Sequence, residues 1–255
     1  VGQEDFDPSV GRVRPVILNV MNFAQGDDET LLSFDDARTL FHEFGHALHG
    51  MLSDVKYPSV SGTSVARDFV ELPSQLYEHW LETPEVLGKH ARHYRTGEPI
   101  PGELMEKMLA ARNFGQGFST VEYLASALVD HEMHRLTSAE GFDAVAFEKQ
   151  VLEGIGMPGA IVSRHAAPHF LHVFSGDGYS AGYYSYMWSE VMDADAFAAF
   201  EEAGDVFDAR TAKRLADEIL TRGGSRDPME EWLAFRGREP DPAAMIKGRG
   251  LDDAA

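Results

Sequence analysis

The chain has 255 residues, 44% of them hydrophobic, enough for one sizeable core and unlike a disordered segment in composition. Its 42 acidic and 22 basic residues give a formal net charge of -20, which repels phosphate backbones and anionic lipid and so disfavours nucleic-acid and membrane partners. Cysteine is absent, which removes disulfides and thiolate metal sites and leaves the compartment open, and no apolar run approaches the ~18 residues of a membrane span. The expectation is one domain over residues 1–255 and a cytoplasmic location.

Residues 1–12 are polar and punctuated by Gly and Pro, and residues 14–23 (RPVILNVMNF) then read as a β-strand. Such a strand could pair with an extended peptide through backbone hydrogen bonds, and a purely structural role is an equal expectation. After a polar turn over residues 25–30, Ser33, Asp35 and Asp36 offer capping oxygens to a helix. In that helix Ala37, Leu40, Phe41, Phe44, Ala47, Leu48 and Met51 recur at helical spacing. It carries His42-Glu43-Phe44-Gly45-His46. Residues four apart stack on one face about 5 to 6 Å apart, so both imidazoles can reach one metal ion, and Glu43 can act as general base on an attacking water. A match to this five-residue pattern also arises by chance, so a third ligand is needed.

Glu71 is the candidate. It lies in residues 67–80 (RDFVELPSQLYEHW), where Asp68 can cap a second helix and Pro73 suits its early part. Glu71, Gln75 and Glu78 share a face, which could be a solvated acidic stripe. Phe69, Val70, Leu72, Leu76 and Trp80 make the helix largely apolar, however, and an inward carboxylate then needs a cation. Residues 55–66 between the two helices read as a loop.

Helical patterns follow over residues 84–94, 101–114, 119–136 and 142–155. The pairs His90/His93 and His131/His134 stand three apart with no third ligand in view, and Glu122, Asp130, Glu132 and Arg135 read as a solvated face. Residues 164–188 (RHAAPHFLHVFSGDGYSAGYYSYMW) set tyrosines 179, 183, 184 and 186 among Gly176, Gly178 and Gly182. A phenol is a neutral donor suited to an oxyanion, whereas an aromatic core stripe is the plainer reading. Glycines cost about 1 kcal/mol each inside a helix, so a mobile loop is expected here. Helices are expected again over residues 190–203, 209–222 and 228–235.

HEFGHALHGM followed by SGTSVARDFVELPSQLYEHW resembles the thimet oligopeptidase and bacterial peptidyl-dipeptidase family of zinc metallopeptidases, over residues 14–251. The resemblance implies a mainly α, zincin-like catalytic domain with a small β-sheet. It also implies one zinc per chain on His42, His46 and Glu71, with Glu43 as base. The family's tyrosine cluster G-Y-x-x-x-Y-Y-x-Y maps to Tyr179 and Tyr186 and its histidine, across a loop longer than in the oligopeptidases, to His172, all as substrate contacts; His165 and His169 match no family position. GYSAGYYSYMW and NVMNF resemble the peptidyl-dipeptidases more than the oligopeptidases. The function so implied is hydrolysis of short peptides with release of C-terminal dipeptides. The alternatives are an endo-acting oligopeptidase, or a non-catalytic zinc-stabilised fragment. Family members carry a further N-terminal helical region, which is an expected partner of this chain.

Overall fold

The computed structural model describes residues 5–7, 9, 11–26 and 29–252. Ten α-helices dominate the regular structure of these residues, with one hairpin of two short strands. The mainly α class therefore holds, and its sheet is β1 (Asp5–Asp7) against β2 (Gly11–Val13), antiparallel with Phe6 opposite Arg12. Residues 14–23, where a strand is expected, form no ladder. Their side chains nevertheless alternate between exposed and half-buried, and Val16, Leu18 and Val20 all face outward. The period-two pattern thus reports one covered face, while a strand also requires a backbone partner, which the described residues do not supply. Ile17 lies on the covered face, and a Cβ built at Gly50 would stand 2.7 Å from its Cδ1.

Helix α1 (Phe34–Leu52) opens on a capping box: the Ser33 hydroxyl accepts from Asp36 N–H at 3.1 Å and the Asp36 carboxylate accepts from Ser33 N–H at 2.9 Å. Such a cap is worth about 1 kcal/mol and fixes where the helix begins. Helix α2 (Leu72–Leu81) starts later than expected, at Glu71, with Pro73 in its first turn and no side-chain cap. Asp68 does not cap it; its carboxylate accepts from the Tyr184 hydroxyl at 2.8 Å.

Helices α3 (Pro84–His90), α4 (Gly102–Ala111), α5 (Gln116–His134) and α6 (Ala144–Gly154) follow within a few residues of their expected bounds. The glycine-rich block becomes three short 3-10 turns, and α7 (Ser185–Ala203) then begins five residues before the expected residue 190. Helix α8 (Ala209–Leu215) runs into a π turn (Ala216–Leu220), and α9 (Pro228–Arg236) and α10 (Ala243–Gly248) close the chain.

The main core joins Phe69, Leu72 and Leu76 to Met192, Ala196, Ala199 and Phe200 of α7 and to Ile219, Trp232 and Phe235. Each such large side chain contributes roughly 1.5–3 kcal/mol of burial, so α2 is held against the C-terminal helices through its apolar face. Its other face is left to meet α1. The two helices cross at Gly45, where an added Cβ would lie 2.5 Å from the Pro73 carbonyl oxygen and 2.6 Å from Ser74 Cα.

Candidate active site

That crossing places the histidines of α1 opposite Glu71. One carboxylate oxygen of Glu71 stands 3.2 Å from His42 Nε2 and 3.2 Å from His46 Nε2. His42, His46 and Glu71 are the group of potential metal ligands found among the described residues, with donor atoms all within 4.8 Å of one another. Donors about 2.0–2.1 Å from a shared zinc in a tetrahedron stand roughly 3.3 Å apart, so the spacing and the two-nitrogen, one-oxygen set both fit that ion. His90/His93 and His131/His134 assemble no such group.

The ligands are braced from behind. His42 Nδ1 lies 2.7 Å from Glu78 Oε1, which turns Nε2 toward Glu71. Arg38 holds Glu82 at 2.8 Å and lies 3.9 Å from Glu78, and Arg112 bonds Glu82 from the other side. Buried Ser74 donates at 2.9 Å to the Glu71 carboxylate. Burial opposes charge on both partners of the His42/Glu71 contact, but it is outweighed. Hydrogen bonds to Glu71 and Glu78 raise the His42 pKa to about 10, and the two histidines hold the Glu71 carboxyl well below the usual carboxylate range. Glu71 is thus an anion in a half-dry cleft, as a cation ligand must be. His46 Nδ1 is buried with no partner, and so are both ring nitrogens of His49, whose pKa burial and then the His46 charge push down to about 4.

Glu43, beside the first histidine and half-buried, makes no hydrogen bond or ion pair among the described residues. Its carboxylate is uncommitted among these residues, in contrast to Glu71 and Glu78.

The aromatic block lies alongside. The Gln75 amide donates at 3.2 Å to the Tyr186 carbonyl, tying α2 to the first turn of α7. His172 packs edge-on against Tyr179 with centroids 5.2 Å apart and lies 6.0 Å from Tyr186. Tyr186 sits in the first turn of α7 rather than on the expected mobile loop, because the irregular backbone ends at Tyr184. Burial, then the Glu71 charge, raises the Tyr186 pKa to about 12, which keeps the phenol protonated at neutral pH. Burial and then the Arg67 charge lower the His172 pKa, so its imidazole is neutral there. His165 stacks on Phe170 at 4.7 Å and meets the Tyr183 hydroxyl at 3.3 Å.

Several supporting residues were not singled out by the sequence. Asp130, expected on a solvated face, is fully buried: it accepts from Ala181 N–H at 3.0 Å and Tyr183 N–H at 2.9 Å and pairs with His134 at 2.7 Å. Ala181 takes a left-handed φ of 53°, a conformation this clamp holds. Tyr123 donates to the Tyr183 carbonyl and accepts from Met187 N–H at 3.3 Å. The Asp-x-x-x-His spacing of Asp130 and His134 was the available signal, since it puts the two on one helix face. Gly45 gave none.

Two imidazoles one turn apart on a helix, facing a carboxylate from a second helix with a free glutamate at the first ligand, define a helical protein built around a metal-binding group. Residues 3–251 match Peptidase family M3, and the chain belongs to that family. It is 41% identical to a dipeptidyl carboxypeptidase of Salmonella typhimurium, over 96% of this chain and 36% of the relative. It is also 41% identical to oligopeptidase A of Escherichia coli, over 96% of this chain and 38% of the relative. The chain thus spans little more than a third of the length of these curated relatives.

Proposed function

We propose that the 255 residues form one metallopeptidase unit that hydrolyses peptide bonds in short peptides and releases C-terminal dipeptides, with one zinc ion per chain on His42, His46 and Glu71. The observation that carries this reading is the convergence of those three donors beside a glutamate with no partner among the described residues. Zinc bound there would polarise a peptide carbonyl and make an attacking water more acidic. Glu43 accepts the proton of that water and delivers it to the leaving amine. Tyr186, held protonated by burial and by Glu71, donates to the carbonyl oxygen as it gains negative charge. Neutral His172 and Tyr179, packed edge to face, hold the substrate chain beside it.

Support for the dipeptide-releasing specificity comes from the similarity to dipeptidyl carboxypeptidase; the equal identity to oligopeptidase A supports endo cleavage as the second reading. The described residues contain no helix long and apolar enough to cross a membrane, in keeping with a cytoplasmic enzyme. The uncovered length of the relatives supports an N-terminal region as partner, supplying the opposite wall of the substrate cleft. A non-catalytic fragment is the remaining alternative. The test is Glu43→Gln, an amide of the same shape that cannot accept a proton: the variant should keep zinc and fold while losing most turnover, and equal turnover would remove Glu43 from this role. Mass spectrometry of products from a mixed peptide library separates dipeptide release from internal cleavage.

A further inference from the structure

Of the half-buried arginines among the described residues, Arg38, Arg226, Arg236 and Arg249 are each in an ion pair. Arg67 is not. In a chain with 42 acidic residues and 22 basic ones, a partly desolvated guanidinium without a carboxylate is conspicuous. Its Nε is buried and makes no hydrogen bond. Its guanidinium carbon lies over the Tyr179 ring, 4.1 Å from the centroid, so the ring covers one side of the group and its N–H donors remain for another partner.

The acids around it are already engaged. Asp68, the next residue, accepts from the Tyr184 hydroxyl; Glu71 is shared by His42, His46 and Ser74; Asp130 is taken by His134 and two backbone N–H groups. Arg67 nevertheless borders the candidate active site, since the Tyr179 ring it covers packs edge-on against His172. Val70 N–H bonds the Ala66 carbonyl at 3.2 Å, so residues 66–70 make a helical turn that puts Arg67 about one turn, ~5.4 Å along the axis, before the ligand Glu71. Two extended residues span at most about 7 Å. A leaving fragment of two residues is thus of the same order of length as the one-turn separation of Arg67 from Glu71.

We propose that Arg67 binds the terminal α-carboxylate of the substrate peptide, two residues beyond the scissile bond, and so selects peptides by their free C-terminus. The inference rests on the peptidase reading of the site and adds the group that measures the leaving fragment. A planar fork held by Tyr179 matches a carboxylate with two parallel hydrogen bonds, and the ion pair closes only when substrate arrives. Tyr179 is then both a wall for the peptide and the brace of its anchor.

The test compares N-acetyl-tetraalanine with its C-terminal amide, binding measured by calorimetry to the zinc-loaded Glu43→Gln chain. The acid should bind roughly 10- to 150-fold more tightly, the range of a hydrogen-bonded ion pair. Adding Arg67→Ala should bring that ratio near one by weakening the acid alone, whereas Arg67→Lys, which keeps charge without the planar fork, should retain part of it. Thermal unfolding and zinc content of each variant report whether it is folded. An acid-to-amide ratio near one in the parent, an unchanged ratio in Arg67→Ala, or equal weakening of both peptides would overturn the proposal and leave Arg67 as a brace for Tyr179. Internal cleavage of free-acid peptides by the chain with Glu43 intact, together with a ratio that Arg67→Ala abolishes, would overturn the two-residue spacing along with the dipeptide-release reading and leave Arg67 as a carboxylate site only.

Discussion

The ligand helices and the aromatic block adjoin at the Gln75–Tyr186 hydrogen bond, and they are stabilised differently. Helices α1 and α2 touch backbone to backbone at Gly45, and two of the three candidate ligands have a second partner, Glu78 for His42 and Ser74 for Glu71. The aromatic block has short 3-10 turns, an alanine at positive φ, and exposed Leu171 and Phe174; its position depends on buried Asp130 and Tyr123 reaching over from α5. One side is rigid because its own elements interlock, whereas the other is shaped by a neighbour. Metal affinity and catalytic rate should therefore be separable by mutation.

The largest effect belongs to the rigid side. His46→Ala leaves two of three donors, and stoichiometric zinc measured by atomic absorption should disappear; full retention would refute the ligand assignment. Next comes the other side, where Tyr186→Phe should keep zinc and lower kcat by roughly 10² to 10³ with a smaller change in KM. A loss of zinc in that variant would break the proposed separation. Glu78→Gln should weaken zinc binding by about 10- to 100-fold in a chelator competition, since the amide orients His42 less firmly. The smallest effect is expected of Asp130→Asn, which loses an acceptor for the backbone of the aromatic block: KM for peptide should rise a few-fold while zinc affinity stays put. A change in zinc affinity there would mean that the two sides are coupled.

These differences also explain what was legible in the sequence. The pair His42 and His46 and the face shared by Glu71, Gln75 and Glu78 are local facts of helical periodicity, and all five take up the positions that spacing implies. Ser33 signalled the start of α1 because a cap is local too. The start of α7 was misplaced because Gly182 and the tyrosines look like loop, while Tyr123 and Gln75 bond the backbone of its first turn from elements far away in sequence. Residues 14–23 have strand periodicity without a ladder, since pairing depends on a second backbone and not on the segment itself. Asp130 looked solvated because nothing within its helix reveals that residues 181–183 will lie over it. Arg67 was read only as part of a motif, its significance being the absence of a counter-ion, which no sequence pattern records.

Gly45 has one further consequence. Because carbonyl and Cα of α2 occupy the space where any other residue would have its Cβ, the width of the metal group is set by main-chain atoms, which cannot rotate out of the way as side chains do. The crossing behaves as a spacer of fixed gauge: thermal motion of the surrounding side chains leaves the donor separation nearly constant, but a single methyl group would act as a wedge between the helices. Such a chain could retain every ligand and every hydrogen-bonding side chain and still have no common focus for a cation. The chemistry of the site thus depends as much on a hydrogen atom with no chemical function as on the groups that would hold the metal.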